Sequence, residues 1–401
     1  TPHTAEAGVK KAKPVRVATV FDADRRKKTK RTAGRRFSYS LYASTRFQAE
    51  RNIRPDGTPS ARRDEYAQYL GLVGRVDLGR GAIAFGHAQV DLRARTVDAR
   101  RYDPAIGWRT KEAFVSFALS DEARLSVGRM RFSDATKWSV DASVDGIHYA
   151  RKTKTRVHEI AGFAGTGDVD AHYLMAHHGR VDNKVRYGAL ALLAQEGGQN
   201  RLHLSGYATA AVTARFSYEV NAGAVLGDAA QGKRAGVALD IRTTHRTGGA
   251  KIGRHQLNPQ LTFGFAAGTQ GFRQSGLHSN KTTNRGQTQV HRYGYVFQPD
   301  LGNLAVGTAA VGIRPSRTLS VDLGLHVYGQ LNATTTGPTA RITGATTGQS
   351  HFLGTEVSLV GAWRPSKKSK VEFGAGYFQP GPAFVDRTPA SRVYLRMSVT
   401  F

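Results

Sequence analysis

Apolar residues recur at every second position from Arg36 to the end of the chain, which is the period of β-strands and not of helices. The last strand shows the pattern most clearly. Its apolar positions are Val393, Leu395, Met397, Val399 and Phe401, and polar or amphipathic residues occupy the positions between them. The same alternation covers residues 87–95, 216–227 and 319–330. The pattern predicts an all-β chain.

Strand length and aromatic placement favour a membrane barrel over a soluble sandwich, which also alternates. The predicted strands often reach ten or more residues, against about five or six in soluble sheets, and tilted membrane strands need this length. The chain stops on Phe401, which resembles the assembly signal of bacterial outer-membrane proteins. Aromatic residues gather near strand ends, as interfacial girdles require: Phe37, Tyr39, Phe47, Tyr66, Phe352, Tyr377 and Phe378.

The pattern predicts a transmembrane antiparallel β-barrel of about 18 strands, an even number as expected for a bacterial single-chain barrel. The predicted strands lie near 37–49, 64–78, 82–95, 109–119, 123–132, 143–151, 154–164, 169–179, 184–195, 201–211, 214–227, 233–245, 257–269, 302–314, 317–331, 350–363, 368–378 and 391–401. A barrel of this size encloses an aqueous lumen. The chain then divides into a basic, mobile N-terminal segment, 1–36, and a single barrel domain, 37–401.

The connections differ in length, and the difference predicts orientation. Short links such as Gly79–Gly81 and Pro315–Ser316 are predicted to be periplasmic turns. The longer stretches are predicted to be extracellular loops: 50–63, 96–108, 270–301, 332–349 and 379–390. The 270–301 segment is long and irregular, so we expect it to fold over or into the pore.

The net charge of the chain indicates that the predicted barrel has an anionic partner. The formal net charge is +28, from 58 Lys+Arg against 30 Asp+Glu. Eleven of the bases and three of the acids lie in the first 35 residues, so the remainder still carries +20. Such an excess predicts a polyanionic partner. Because a barrel follows the basic run at 25–31, we expect that run to contact lipid headgroups or the periplasm, and not nucleic acid.

Other chemistry finds little support. The chain has no cysteine, which excludes disulfides, zinc–thiolate sites and cysteine nucleophiles. The stretch 227–233 resembles a phosphate loop, but Arg234 stands where Ser or Thr should hold magnesium. His177 and His178 are adjacent and face opposite sides of a strand, which disfavours a metal site with His172. We therefore expect no enzyme activity, no metal and no cofactor.

Lumen-facing arginines carry the functional signal. Alternation places six arginines on the polar face of their strands: Arg46, Arg75, Arg93, Arg95, Arg242 and Arg396. Rings of bases select anions in pores, and guanidinium groups match carboxylates. Some of these bases are expected to pair with lumen acids: Asp77, Asp91, Asp240, Asp322 and Glu356. The surplus of bases over acids predicts a cation-lined path.

Three stretches resemble the bacterial alginate export porins. One is LSVGRMRFSDATKW at 125–138, followed by Asp141 and VDGIHY at 144–149. The second and more specific is FRQSGLHSNK at 272–281, followed by VHRYG at 290–294 and LGNL at 301–304. GAGYFQPGPAF at 374–384 is a weaker echo. These blocks cover under a third of the chain.

The resemblance implies an eighteen-stranded monomeric barrel that passes a polyuronate outward through an arginine-rich constriction. The cargo contacts that it implies by position are Arg129, Arg131, Arg273, Lys281 and Arg292. His148 stands where the family has Arg, Met130 replaces Gln, and Gln379 stands where a base is frequent, which leaves the polymer open. Alternation alone turns Arg129 outward, so we expect a bulge at Gly128 to reset the phase.

The sequence thus predicts a secretion porin of the bacterial outer membrane for an anionic, alginate-like exopolysaccharide. Its expected partners are this polysaccharide, outer-membrane lipid and periplasmic parts of a synthesis or secretion complex. The alternative is an anion-selective diffusion porin for small carboxylates or phosphates. A third class, protease or lipase barrels, are typically smaller, and no catalytic set is evident here.

Overall fold

The described part of the chain consists of strands and their connections. The computed structural model describes residues 19–21, 37–52, 62–98, 100–165, 171–229, 232–248, 251–252, 255–283 and 289–401. The described residues include no helix long and apolar enough to cross a membrane. Of the N-terminal segment 1–36, only residues 19–21 are described, so the basic run at 25–31 lies outside the described residues.

Twenty-two strands are present in this part of the chain. They are β1 (Phe37–Arg51), β2 (Arg62–Gly79), β3 (Ala82–Val97), β4 (Arg100–Ala118), β5 (Ala123–Ser133), β6 (Asp141–Lys152), β7 (Arg156–Ala164), β8 (Ala171–Asp182), β9 (Val185–Glu196), β10 (Gln199–Ala211), β11 (Phe216–Ala229), β12 (Gly232–Arg246), β13 (Lys251–Ile252), β14 (His255–Gln256), β15 (Gln260–Gly268), β16 (Lys281–Thr282), β17 (Val290–His291), β18 (Leu304–Ile313), β19 (Leu319–Gly329), β20 (Phe352–Trp363), β21 (Ser369–Pro380) and β22 (Ala390–Thr400).

Eighteen of these strands form one closed antiparallel sheet, as predicted. Each barrel strand pairs with its neighbours in the chain, and β22 pairs back with β1, where Arg46 lies opposite Arg396. Closure matters because lipid offers no hydrogen bonds to an open edge. The start of β1 and the end of β22 lie at the end that carries the short turns. We call this the periplasmic end, and the opposite end, with the longer loops, the extracellular end.

The outward face is apolar, as the alternation predicts. On β22, Val393 is 54% exposed and Phe401, just beyond the strand, is 68% exposed. Phe37, Tyr39, Phe352 and Tyr377 are outward and exposed near the strand ends, as girdle residues should be. The expectation for Phe378 is wrong. Its side chain is buried inside the barrel, where its ring stacks on Phe297 at 4.7 Å between centroids, because the inserted loop offers it an apolar partner.

The predicted loop at 96–108 is wrong. Strand β4 begins at Arg100 and pairs with β3 up to Val97, so the hairpin extends beyond the expected strand end. Ile106 and Trp108 are 79% and 68% exposed and continue the outward face. The register shifts opposite Pro104, which interrupts the apolar pattern without ending the strand.

The β5–β6 hairpin leaves the barrel wall and bends into the lumen. Strand β4 pairs with β5 only as far as Arg129, and β6 pairs with β7 only as far as Asp145, yet β5 and β6 stay paired to Ser133 and Asp141. Gly128 and Gly146 lie directly opposite each other at this point. The β5–β6 register is continuous, so the bulge expected at Gly128 is wrong, and a bend takes its place.

The tip of this hairpin, residues 134–140, crosses the lumen to the far wall. Ser139 Oγ lies 2.8 Å from Ser205 Oγ on β10, and Trp138 stacks on Phe272 of the long loop (residues 269–303). Trp138 Nε1 also donates to Tyr293 Oη at 2.8 Å. The long loop therefore lies inside the barrel against the tip, as its length suggested, and together they fill part of the lumen.

Substitution of Gly128 tests the bend. Gly128 has φ 123°, and a Cβ there would lie 2.3 Å from the carbonyl oxygen of Ala113, which is backbone and cannot move aside. We expect Gly128→Ala to cost about 1–3 kcal/mol through backbone strain alone. The measurement is the temperature at which the folded band on unboiled gels is lost. Gly86→Ala is the matched control, since nothing lies within 4 Å of a Cβ at that strand glycine. Equal behaviour of the two variants would contradict the bend.

Removal of Phe401 tests the closing seam. The Phe401 amide donates to the carbonyl of Leu41 at 2.8 Å, and its ring is an exposed outward aromatic at the periplasmic end. We expect the truncated chain to yield less folded barrel in membranes, measured by heat-dependent gel mobility, whereas Phe401→Tyr should assemble normally. Normal assembly of the truncated chain would count against this role.

Candidate functional site

Between the inserted segments and the wall formed by β21, β22 and β1 lies a polar passage, which we call the channel. Its mapped part has a volume of about 520 Å³ and is lined from β1, β21, β22, the long loop and the second loop (residues 330–351). Its basic lining residues are Arg46, His278, Lys281, His291, Arg341, Arg392 and Arg396. Bases thus come from both the wall and the inserted loops.

Two acids of the inner face, Asp91 and Asp141, lie beneath the arginines that they neutralise. Asp300, which lines the channel, differs: its side chain is 37% exposed beside His278. Asp91 contacts Arg93 at 2.7 Å and Arg109 at 3.0 Å; the Asp91 side chain is 3% exposed, against 35% and 50% for the two arginines. Arg131 contacts Asp141 at 2.7 Å, with exposed fractions of 41% and 0%. The guanidinium groups therefore face the water while the carboxylates sit at the wall.

Glu50 extends the same arrangement. Its fully buried carboxylate pairs with Arg341 and lies 3.3 Å from Arg392 Nε. Arg392 also lies over the ring of Tyr295, 4.7 Å from its centroid. Coulomb attraction weakens with distance. An anion in the channel can approach the exposed guanidinium groups more closely than the buried carboxylates, so attraction outweighs repulsion.

Three further cations have no ion-pair partner among the described residues: Lys111, Lys281 and Arg396. Arg396 lies opposite Arg46, and both guanidinium groups approach the ring of Tyr69, at 5.9 and 5.7 Å from its centroid. Burial in the lumen and the nearby cations Arg131 and Arg396 lower the pKa of Lys281. Lys281 and Arg396 line the same passage as Arg46, so these three bases lie close together around the channel.

Two predicted contacts lie within the packing of the long loop and not on the channel. Arg292 is 1% exposed; it donates to the carbonyl of Thr136 at 2.5 Å, pairs with Glu219 and lies 3.4 Å from Asp240. Arg242, also buried, donates to the carbonyl of Arg292 at 3.2 Å. These contacts join the hairpin tip and the long loop to the wall, and a polymer does not reach Arg292 in this arrangement.

The other predicted residues are spread around the barrel. Arg129 lies at the bend, where its guanidinium holds Asp145 with two hydrogen bonds of 2.8 and 2.5 Å. Arg75 is half-buried on the inward face of β2, and Arg273 is exposed on the long loop. Arg46, Lys281 and Arg396 are the predicted residues that line the mapped part of the channel. Arg93 and Arg131 lie on β3 and β5, paired with Asp91 and Asp141.

His148 belongs to a separate cluster that holds the N-terminal residues. The buried Glu159 accepts hydrogen bonds from His148 at 3.1 Å and His177 at 2.6 Å. It also accepts from the backbone amides of Val20 at 2.8 Å and Phe21 at 3.1 Å. Phe21 packs edge-on against the ring of His148, with 5.2 Å between centroids. Residues 19–21, the strap, are thus anchored inside the lumen.

The strap also supports the bent hairpin. The Ser133 amide donates to the carbonyl of Val20 at 2.7 Å, and the Phe21 ring lies 5.8 Å from that of Phe132. Both Ser133 and Phe132 belong to the part of β5 that has left the wall. The strap therefore replaces some of the neighbours that these residues lost at the bend.

One predicted acid pairing is wrong. Glu356 contacts no base among the described residues; it accepts hydrogen bonds from the backbone amides of Tyr295, Val296 and Phe297, the last two at 3.0 and 2.9 Å. These amides belong to the inserted loop and have no strand partner. The expected pairs of Asp91, Asp240 and Asp322 with arginines are present, Asp322 with Arg314 at 2.7 Å.

Sequence reasoning missed Lys111, Arg341 and Arg392. A register shift between His87 and Ala88 leaves an extra residue on β4, so Lys111 and Glu112 both turn inward and break the alternation. Arg341 lies on a loop, where alternation predicts nothing. Arg392 could have been found, because it shares the face of Tyr394 and Arg396 on β22.

A family model described as "Alginate export" matches residues 148–398. Among solved structures, the chain is similar to OccK5 (OpdH) of Pseudomonas aeruginosa, with TM-score 0.61 and 10% identity over 90% of this chain and 98% of that chain. OccAB1 of Acinetobacter baumannii gives 0.60 and 10% over 91% and 97%. The outer-membrane protein OprD of Pseudomonas aeruginosa gives 0.58 and 10% over 90% and 93%. No curated protein matches the chain.

Labelling can test the anchoring of the strap. The chain has no cysteine, so Thr19→Cys places a single thiol at a residue that is 6% exposed. We expect Glu159→Gln to raise the rate at which a maleimide reacts there, since Gln offers one acceptor oxygen where the carboxylate offers two. Asp182→Asn, an exposed acid near the same end, should leave the rate unchanged. An unchanged rate in Glu159→Gln would contradict the anchoring.

Proposed function

Because this chain belongs to the alginate export family of bacterial outer-membrane barrels, we propose that it is a porin through which an anionic polyuronate leaves the cell. The channel carries the polymer, and the cargo contacts are Arg46, Arg93, Arg131, Lys281 and Arg396, joined by Lys111. The proposal includes a monomer, since one chain closes the barrel, with membrane lipid around it and synthesis or secretion proteins on the periplasmic side. It assigns no reaction and no cofactor to the chain.

The observation that carries the proposal is the layering of charge. Carboxylates such as Asp91, Asp141 and Glu50 are almost fully buried, whereas their arginine partners are partly exposed. Lys281 and Arg396 add cations without any described acid partner. The mapped part of the channel is lined by five Lys or Arg residues and two acids, Asp300 and Glu372, so it attracts carboxylates more than it repels them.

The mechanism is electrostatic and uses many weak contacts. A uronate about 7 Å from one cation gains about 0.6 kcal/mol in bulk water and a few times that in a confined lumen. Conduction requires binding that is strong enough to admit the polymer and weak enough to release it. Partial neutralisation by the buried acids keeps each contact weak, so the polymer can move from one cation to the next.

A second function keeps one observation in its favour. The β5–β6 hairpin and the long loop narrow the lumen, which suits an anion-selective porin for small carboxylates or phosphates. Such a porin would show the same anion preference. The two functions differ in their response to a polymer, which enters and blocks an export channel and leaves the current of a small-solute channel unaffected.

Reconstituted channels test the proposal. We expect the wild-type channel to prefer anions and polyuronate fragments added on the periplasmic side to reduce the current. Lys281→Glu with Arg396→Glu should abolish or reverse the preference, because each substitution changes the local charge by two units. The corresponding Gln pair should have a smaller effect. Lys367→Glu with Lys368→Glu, at two exposed residues of a periplasmic turn, is the charge-matched control and should behave as the wild type.

The outcomes separate the hypotheses. A cation-selective wild-type channel contradicts both functions. Anion selectivity without polymer block supports the small-solute porin. Salt gives a further check: at 1 M the screening length falls to about 3 Å, so both the selectivity and the block should fade.

A further inference from the structure

The outer surface of the barrel carries a cluster of bases at the periplasmic end of β7 and β8. Arg156 lies directly opposite Arg180, and two residues further His158 lies directly opposite His178. These side chains are outward, because they alternate along β7 with Val157 and Glu159, whose side chains are buried on the lumen side. Two successive cross-strand pairs on one face are thus formed by bases.

Like charges directly opposite each other destabilise a sheet. Local acids do little to relieve this. Arg180 approaches Asp182 only to 3.9 Å, and Arg156 has no ion pair with any described residue. The two histidines are close, with 3.2 Å between their Nδ1 atoms, so one donates and the other accepts. A bound anion between the arginines would turn this repulsion into charge-assisted hydrogen bonds.

The cluster opens into an apolar groove of about 1040 Å³ on the same outer surface. The groove follows one row of paired residues across the sheet, from His178 through Ala189, Gly206 and Ala222 to Leu239. Ala189, Gly206 and Ala222 have small side chains or none, so this row lies lower than the surrounding outer surface and forms the floor of the groove. It begins near the periplasmic end of β7 and extends to Ala267, next to the extracellular end of β15.

The position of the cluster matches that of lipid phosphates. Arg156 is the first residue of β7, and His158 lies two residues, or about 5 Å of height, further into the membrane at a strand tilt of about 40°. The cations therefore lie at the edge of the apolar band, and the groove lies within it. A water-soluble protein does not enter the apolar band, and the exported polymer is on the other side of the wall.

We propose that Arg156 and Arg180, with His158 and His178, bind the phosphate of an anionic glycerophospholipid from the periplasmic leaflet, whose acyl chain lies in the groove. Phosphatidylglycerol has the required chemistry: a phosphate diester, a net negative charge and an apolar tail. The site is independent of the cargo, because its residues face lipid and not the channel.

Lipid retention on the purified full-length chain tests the site. After delipidation in a non-ionic detergent, we expect native mass spectrometry to show phosphatidylglycerol retained about tenfold better than phosphatidylcholine. Arg156→Gln with Arg180→Gln should remove this preference. Lys367→Gln with Lys368→Gln removes two exposed bases from another periplasmic turn and should keep it. Heat-dependent gel mobility verifies that each variant is folded.

A second variant tests the groove without a change of charge. A Cβ at Gly206 would meet only the Gly188 carbonyl oxygen at 3.6 Å, an ordinary contact, so Gly206→Leu should fold and fill the floor. We expect it to lose retention of phosphatidylglycerol. The soluble headgroup glycerophosphoglycerol should not compete, since it lacks the tail. Equal retention of the two lipids, an unaffected double arginine variant, an unaffected Gly206→Leu or competition by the headgroup alone would each overturn the proposal.

Discussion

The structure depends on one constraint: every backbone amide and carbonyl inside the membrane needs a partner. The pairing of β22 with β1 meets it for the wall. The segments inserted into the lumen leave the strand ladder, and buried carboxylates take its place. Glu356 binds three amides of the long loop, Glu159 binds two of the strap, and Asp134 binds four within the hairpin tip. Acids thus fix the inserted segments in place.

This use of the acids shapes the electrostatics of the lumen. Carboxylates that bind backbone or lie under arginines are withdrawn from the water, as Glu50 and Asp141 show. The guanidinium groups that pair with these acids are therefore more exposed to the water of the lumen than the carboxylates are. The same formal charges arranged with exposed acids would give a wall with little preference for anions.

The alternation of the sequence predicted the strands and their outward faces well, because one physical rule, apolar toward lipid, governs them all. It failed where another rule applied. Phe378 was assigned to the girdle, yet the inserted loop buries it; Lys111 was missed because a register shift changes its face. The packing of Arg292 between the tip and the wall depends on contacts far apart in the chain, Glu219 and Asp240, that no local pattern reports. The family resemblance pointed to segments that the structure places in the lumen, but it could not say which of their bases face water.

The glycine pair at the bend has a mechanical consequence. The segment that narrows the lumen is a direct continuation of two wall strands, hinged where Gly128 faces Gly146, and not a loop tethered at a distance. Under the proposed export function, the drag of an outgoing polymer would load the hairpin along its own strands, and the hinge would transmit that load to β4 and β7. The tip of the hairpin contacts β10 at the opposite wall, so the hairpin is held at both of its ends. A hairpin held at both ends in this way would resist a change in the width of the opening more strongly than a loop held at its base alone.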